Sequence, residues 1–111
     1  MIEVNEYVRT KNGLIGKVDS LYGMIENTIH LENQKWIDTK SIVKHSKIIS
    51  EVVNVGDYVN GKLIHKIDKG SNYCYLHYGN CKTFVDYQIK SILTHEQYEK
   101  NCYKMEEEEW K

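Results

Sequence analysis

Histidines and cysteines are the side chains of this 111-residue chain with the widest chemistry, and there are five of the first and three of the second. Their tightest grouping is Cys74, His77 and Cys81, residue types that ligate zinc when three or four converge on one ion. If Tyr73 to Tyr78 is a strand, however, its side chains alternate between faces, so Cys74 and His77 point apart and do not close on one ion. The spacing reads instead as a small buried cysteine beside a surface histidine, and no metal is expected. His45 and His95 stand at matching places in two similar halves of the chain, where a cap or loop hydrogen bond is the expected role. The carboxylates Asp38 and Asp86 also match each other, but as turn or strand-end residues of separate units rather than an acid/base pair. No serine or cysteine lies within a nucleophile signature, and no glycine-rich phosphate loop is present. The sequence predicts a protein that is not an enzyme and carries no cofactor.

The elements that must position these residues come in two copies. Val4-Asn5-Glu6-Tyr7-Val8, followed by Asn12-Gly13, nearly recurs as Val55-Gly56-Asp57-Tyr58-Val59 with Asn60-Gly61. Each copy then runs through apolar, β-prone sequence to a closing block: Trp36-Ile37-Asp38, Lys40-Ser41-Ile42 and His45 in the first, Phe84-Val85-Asp86, Lys90-Ser91-Ile92 and His95 in the second. The opening blocks are offset by 51 positions and the closing blocks by 48 to 50. This is an internal duplication of a unit of about 50 residues.

Within each copy the pattern is that of short strands. Asn-Gly between two apolar runs is a hairpin sequence, so turns are expected at Lys11-Asn12-Gly13 and Asn60-Gly61. Ile25, Ile29 and Leu31 alternate with Glu26, Thr28 and His30, the pattern of a strand with one buried face. Further strands are expected over 35–38, 62–67, 73–78 and 81–85, with a single helical turn over 39–43. Thr94 with Gln97 three residues on forms a capping box for a short helix ending near Lys104. Five short strands are too few to bury an open sheet, whereas a strongly bent sheet that closes on itself reduces its exposed edges. The expected fold is mostly β: two tandem small SH3-like barrels over 1–50 and 51–93, then a short helix and acidic tail over 94–111.

Bulk properties narrow the function. With 41% hydrophobic and 28% charged residues, the composition is that of a globular chain. No apolar run approaches the roughly 18 residues that span a bilayer, and no basic region followed by an apolar stretch opens the chain, so a cytoplasmic protein is expected. The three cysteines lie in the second half and are expected as free thiols. Net charge is −1, far from the strong basic excess that drives phosphate binding by counterion release.

The run from Glu6 to Val18, with Val8, Gly13, Gly16 and Val18 following the acid, resembles the opening of KOW and related SH3-like barrels. The second copy keeps Gly56-Asp57-Tyr58-Val59 and Asn60-Gly61 but places His65-Lys66 where the second glycine would fall. The chain as a whole is similar to small uncharacterised proteins of phages and prophages of Gram-positive bacteria, which join a block like Ile42-Val43-Lys44-His45-Ser46 to one like Val55-Gly56-Asp57-Tyr58-Val59. That resemblance implies a bacterial host cytoplasm and a range of roles from structural accessory to inhibitor of a defence system, as in anti-CRISPR proteins.

Binding rather than catalysis is therefore the expected activity. On the strand 73–78, one face carries Cys74, Leu76 and Tyr78, the other Tyr73, Tyr75 and His77. If the Cys74 face closes the core, the second face is an aromatic strip suited to a protein partner; alternatively that strip packs against the first unit. Tyr22 and Trp36 are the corresponding aromatics of the first unit. An alternative is a KOW-like nucleic-acid module using Arg9, Lys11 and Lys17, with the tyrosines stacking on bases and Lys62, Lys66, Lys69 and Lys82 following phosphates. A third is capture of a small signalling nucleotide between the two units. The acids Glu106 to Glu109 form a solvated end or a mimic of a phosphate backbone, and a chain this small with free sheet edges is open to symmetric pairing.

Overall fold

A computed structural model describes residues 2–21, 27–33, 35–70 and 74–102. The chain is mostly β, with one short helix. The first unit contains β1 (Tyr7–Thr10), β2 (Ile15–Ser20), β3 (Thr28–Leu31), β4 (Trp36–Asp38) and β5 (Ile42–Ser46), with a 3-10 turn at Thr39–Ser41 between the last two. These strands form one antiparallel sheet in the order β4-β3-β2-β1-β5. A second 3-10 turn, Ile49–Val52, leads into β6 (Tyr58–Val59), β7 (Lys62–Leu63), β8 (Lys66–Lys69), β9 (Cys74–Tyr78), β10 (Lys82–Phe84) and β11 (Ile92–Leu93). Here two three-stranded sheets form, β11-β6-β7 and β10-β9-β8. Joining β7 to β8 across Ile64 and His65 restores the strand order of the first unit, with the 3-10 turn Asp86–Gln88 again preceding the last strand.

The sheets are open, because no ladder among the described residues joins β4 to β5 or β10 to β11. The expected closure into barrels is thus not made by hydrogen bonds. Each unit nevertheless has its own core. Val8, Val18, Ile29 and Leu31 fill the first, and Val53, Val59, Ile64, Cys74 and Leu76 fill the second.

Backbone bonds fix how the copies correspond. Asn5 N donates to Val18 O and Val18 N to Glu6 O, and the same two bonds recur from Gly56 N to Ile64 O and from Ile64 N to Asp57 O. Asn5 and Gly56 both adopt positive φ, 75° and 101°. Val18 therefore corresponds to Ile64, and the residue opposite Val59 in the place of Gly16 is Lys62, not the His65-Lys66 pair expected from sequence. The reason is loop length. Asn60 and Gly61, at φ 53° and 80°, make a two-residue hairpin of the twist that suits flanking strands, whereas the first hairpin takes four residues, Lys11 to Leu14.

A similar slip occurs in the closing blocks. Ile37 pairs with Ile29 and Phe84 with Leu76, so Phe84 corresponds to Ile37 and Trp36 corresponds to Thr83. One residue of register moves a side chain to the other face: Phe84 packs on the core and stacks with Tyr78 at a centroid distance of 4.3 Å, while Trp36 is 55% exposed. The turn expected from Asp68 onward also begins later, since Asp68 and Lys69 still pair with Tyr75 and Cys74.

The helix α1 spans His95–Asn101, and Thr94 caps it as expected, its hydroxyl accepting from Gln97 N at 3.3 Å. The same hydroxyl donates to Gly13 O at 2.8 Å, which ties the helix start to the first hairpin. Gly13 sits at φ 88°, and a Cβ there would run into Thr94 and Glu96. Lys104 and the acidic stretch Glu106 to Glu109 lie outside the described residues.

Candidate functional site

Three places bring polar or aromatic side chains together. The first is the junction of the two units. Strand β1 turns Val8 into the first core and so turns Arg9 to the opposite face, which the second unit covers. Arg9 is 1% exposed. Its Nη1 donates to Asp57 Oδ2 at 2.5 Å and to Val52 O at 3.0 Å, and its Nη2 donates to Asp57 Oδ1 at 3.0 Å and Glu96 Oε1 at 2.6 Å. Asp57 also accepts from Asn54 N at 2.7 Å and His95 N at 2.8 Å. A buried pair is tolerated when its remaining lone pairs find donors in this way. Burial by itself would lower the Arg9 pKa, but hydrogen bonding and attraction from Asp57, with Glu96 adding to them, raise it above the ordinary guanidinium value. Arg9 Nε is buried without a hydrogen-bond partner among the described residues. Arg9 is thus withdrawn from the surface, which corrects its expected place in a phosphate-binding patch. Lys44, opposite Arg9 on β5, donates to Asn54 Oδ1, and its burial, with repulsion from Arg9 and Lys69, lowers its pKa.

The second place is the outer face of the sheets. Cys74 and Leu76 are buried in the second core, and the other face of β9 carries Tyr75, 39% exposed, and the half-buried His77. His77 Nε2 lies 2.8 Å from Asp68 Oδ2, and its ring is 6.4 Å from that of His65. In the first unit His30 Nδ1 lies 2.6 Å from Asp19 Oδ1, and the His30 ring packs at 4.7 Å on Trp36 of the edge strand β4. Each unit therefore sets a histidine, on β3 or β9, against a carboxylate of the preceding strand. Among the described residues, only the first adds an exposed indole. Tyr73 and Tyr22 lie outside the described residues.

The third place is a cleft of about 510 Å³ between the units. Tyr7 and Lys17, opposite each other on β1 and β2, form one wall, and the segment from Asp86 to Ile92 forms the other. Sequence reasoning offered a small-nucleotide site between the units without residues to form it, because only the docking of the units brings these stretches together. Lys17 lines it, whereas Lys11 lines a separate hollow of about 380 Å³ beside Asn12 and Ile37. With Arg9 buried, the three expected phosphate contacts do not form one surface.

The expected loop role of the paired histidines takes two forms. His45 Nδ1 lies 2.6 Å from Glu6 Oε1, while His95 bonds Asp57 through its backbone. Cys74, Cys81 and Cys102 are free thiols, and among the described residues no three metal-ligating side chains converge. No helix among those residues is long and apolar enough to cross a membrane. Compared with known proteins, the chain matches no family model, no curated protein sequence and no solved structure.

Proposed function

We propose that this chain is a non-catalytic binding protein of two SH3-like units that captures a partner protein through its outer aromatic face. The observation that carries this reading is Trp36: an indole more than half exposed, on an open sheet edge, packed against the tilted ring of His30, itself bonded to Asp19. Tryptophan in such a setting contributes large contact area at little further ordering cost, which is why it recurs at the centres of interfaces. The strand order with a 3-10 turn before the last strand supports the SH3-like description of each unit. The likeness to phage proteins makes a host protein, including a defence component, the first partner class to screen.

The test compares capture by the whole chain and by its Trp36→Ala variant, with nuclease present. Loss of an interface hot spot costs about 2 kcal/mol or more, roughly thirtyfold in affinity. The thermal midpoint should move by no more than about 4 °C, since an exposed substitution changes stability little. A variant that captures the same protein as well as the parent overturns the reading.

A further inference from the structure

We infer that the cleft between the units is a binding site for a mononucleotide, a planar base carrying a ribose and a phosphate. The cleft's volume of about 510 Å³ falls in the range of small-ligand sites, and its walls carry the three kinds of group such a ligand uses. Lys17 and Lys90 both line it, and neither forms an ion pair among the described residues, so two ammonium groups are available to a phosphate. Tyr87 also lines it and is 82% exposed, and its ring is a face on which a base can stack. Tyr7 stands on the opposite wall, its ring covered by Lys17 Nζ at 5.7 Å from the centre. Of the two acids, Asp86 is engaged, its Oδ1 accepting from Ser50 N at 2.9 Å. Glu32 remains at the margin of the cleft, where a carboxylate can accept from ribose hydroxyls as acids do in dinucleotide sites.

The wall that presents Tyr87 and Lys90 is braced in a way that the fold of the first unit does not require. Asn60 Oδ1 accepts from the backbone of Lys90 at 2.7 Å and Ser91 at 3.1 Å, and Asn60 Nδ2 donates to Gln88 O at 2.8 Å. Gln88 Oε1 accepts in turn from Val85 N at 2.9 Å. The turn holding Tyr87 is therefore fixed at both ends, while the ring itself stays in solvent. In the first unit the matching hairpin asparagine, Asn12, meets Thr10 instead. A fixed loop that holds out an unburied tyrosine beside an unpaired lysine is preorganised for a ligand.

Adenosine monophosphate and guanosine monophosphate are titrated separately into the full chain by calorimetry and tyrosine fluorescence, with adenosine, inorganic phosphate and a 12-nucleotide single strand as comparators. At least one mononucleotide is expected to bind one to one, with a dissociation constant of about 0.1 mM or tighter, and adenosine and phosphate about tenfold or more weaker. Lys90→Ala and Tyr87→Ala should each weaken binding about tenfold while circular dichroism stays unchanged, since both side chains are solvent-facing. Trp36→Ala should leave the titration as it was, which separates this site from the protein-binding face. Absence of saturable binding to either mononucleotide, binding that ignores both substitutions, or tighter binding of the single strand than of the mononucleotide overturns the assignment.

Discussion

Glu6 and Asp57 hold the same place in the two copies of the unit, and their own backbones treat them alike. Glu6 accepts from Glu3 N at 3.1 Å and Asp57 from Asn54 N at 2.7 Å, each three residues back. Each strand that follows is fixed by the same pair of carbonyl and amide bonds. They part company beyond the copy. Glu6 turns to His45, an imidazole at the surface, whereas Asp57 is fully buried and grips Arg9 of the other unit. Short-range bonding thus follows the repeat. Burial and charge pairing are set by what the neighbouring unit places opposite, so one position serves as a turn brace in the first copy and as an inter-unit tie in the second.

That contrast has a measurable size. Asp57→Ala leaves a buried guanidinium with only Glu96 and a carbonyl, and is expected to cost about 3–5 kcal/mol in urea unfolding. Replacing both partners by apolar residues, as in Arg9→Met with Asp57→Leu, should cost clearly less, because no buried charge is left uncompensated and the released Glu96 carboxylate is partly exposed to solvent. If the double variant is the less stable one, the bonds that the pair makes to Val52 O, Glu96, Asn54 N and His95 N outweigh the pair itself. Glu6→Ala removes the equivalent acid from the first copy, where one partner stands at the surface. Its expected cost is about 1–2 kcal/mol, the loss of hydrogen bonds without a stranded buried charge. Equal losses at the two positions would erase the distinction between brace and tie. The smallest effect belongs to Thr94→Ala, about 1 kcal/mol for a lost cap. It should loosen the start of α1, which supplies His95 N and Glu96 to the tie, and the first hairpin at Gly13, where the Thr94 hydroxyl donates, so amide exchange at the start of α1 should rise while that of β3 does not.

Much of the local structure was legible because it rests on neighbours in sequence. Asn60-Gly61 encodes its hairpin through φ angles few other residues adopt, Thr94 encodes a helix start, and the alternation in Cys74 to Tyr78 sorts its side chains onto two faces. Duplication was legible too, but its alignment was not. Trp36 resembles Phe84 by residue type, yet strand pairing matches it with Thr83, because the connecting loops differ in length and composition does not report register. Arg9 was misread for a related reason. A strand with one apolar and one polar face looks half-solvated, and nothing near Arg9 in sequence reveals that Asp57, 48 positions away, covers it. The lining of the cleft escaped notice on the same ground, since Tyr7 and Lys17 join Tyr87 and Lys90 around it only through docking.

Strand β1 is shared property. Val8 closes the core of its own unit, and the next residue completes the other unit's charge balance, with the 3-10 turn Ile49–Val52 contributing its Val52 carbonyl to the same guanidinium. The halves look like beads that could be cut apart, swapped or strung in longer arrays, but that likeness is superficial. A first half on its own would carry a cation made for burial, and a second half an acid with no counterion. The repeat has become a matched pair, in which neither copy can be exchanged for the other.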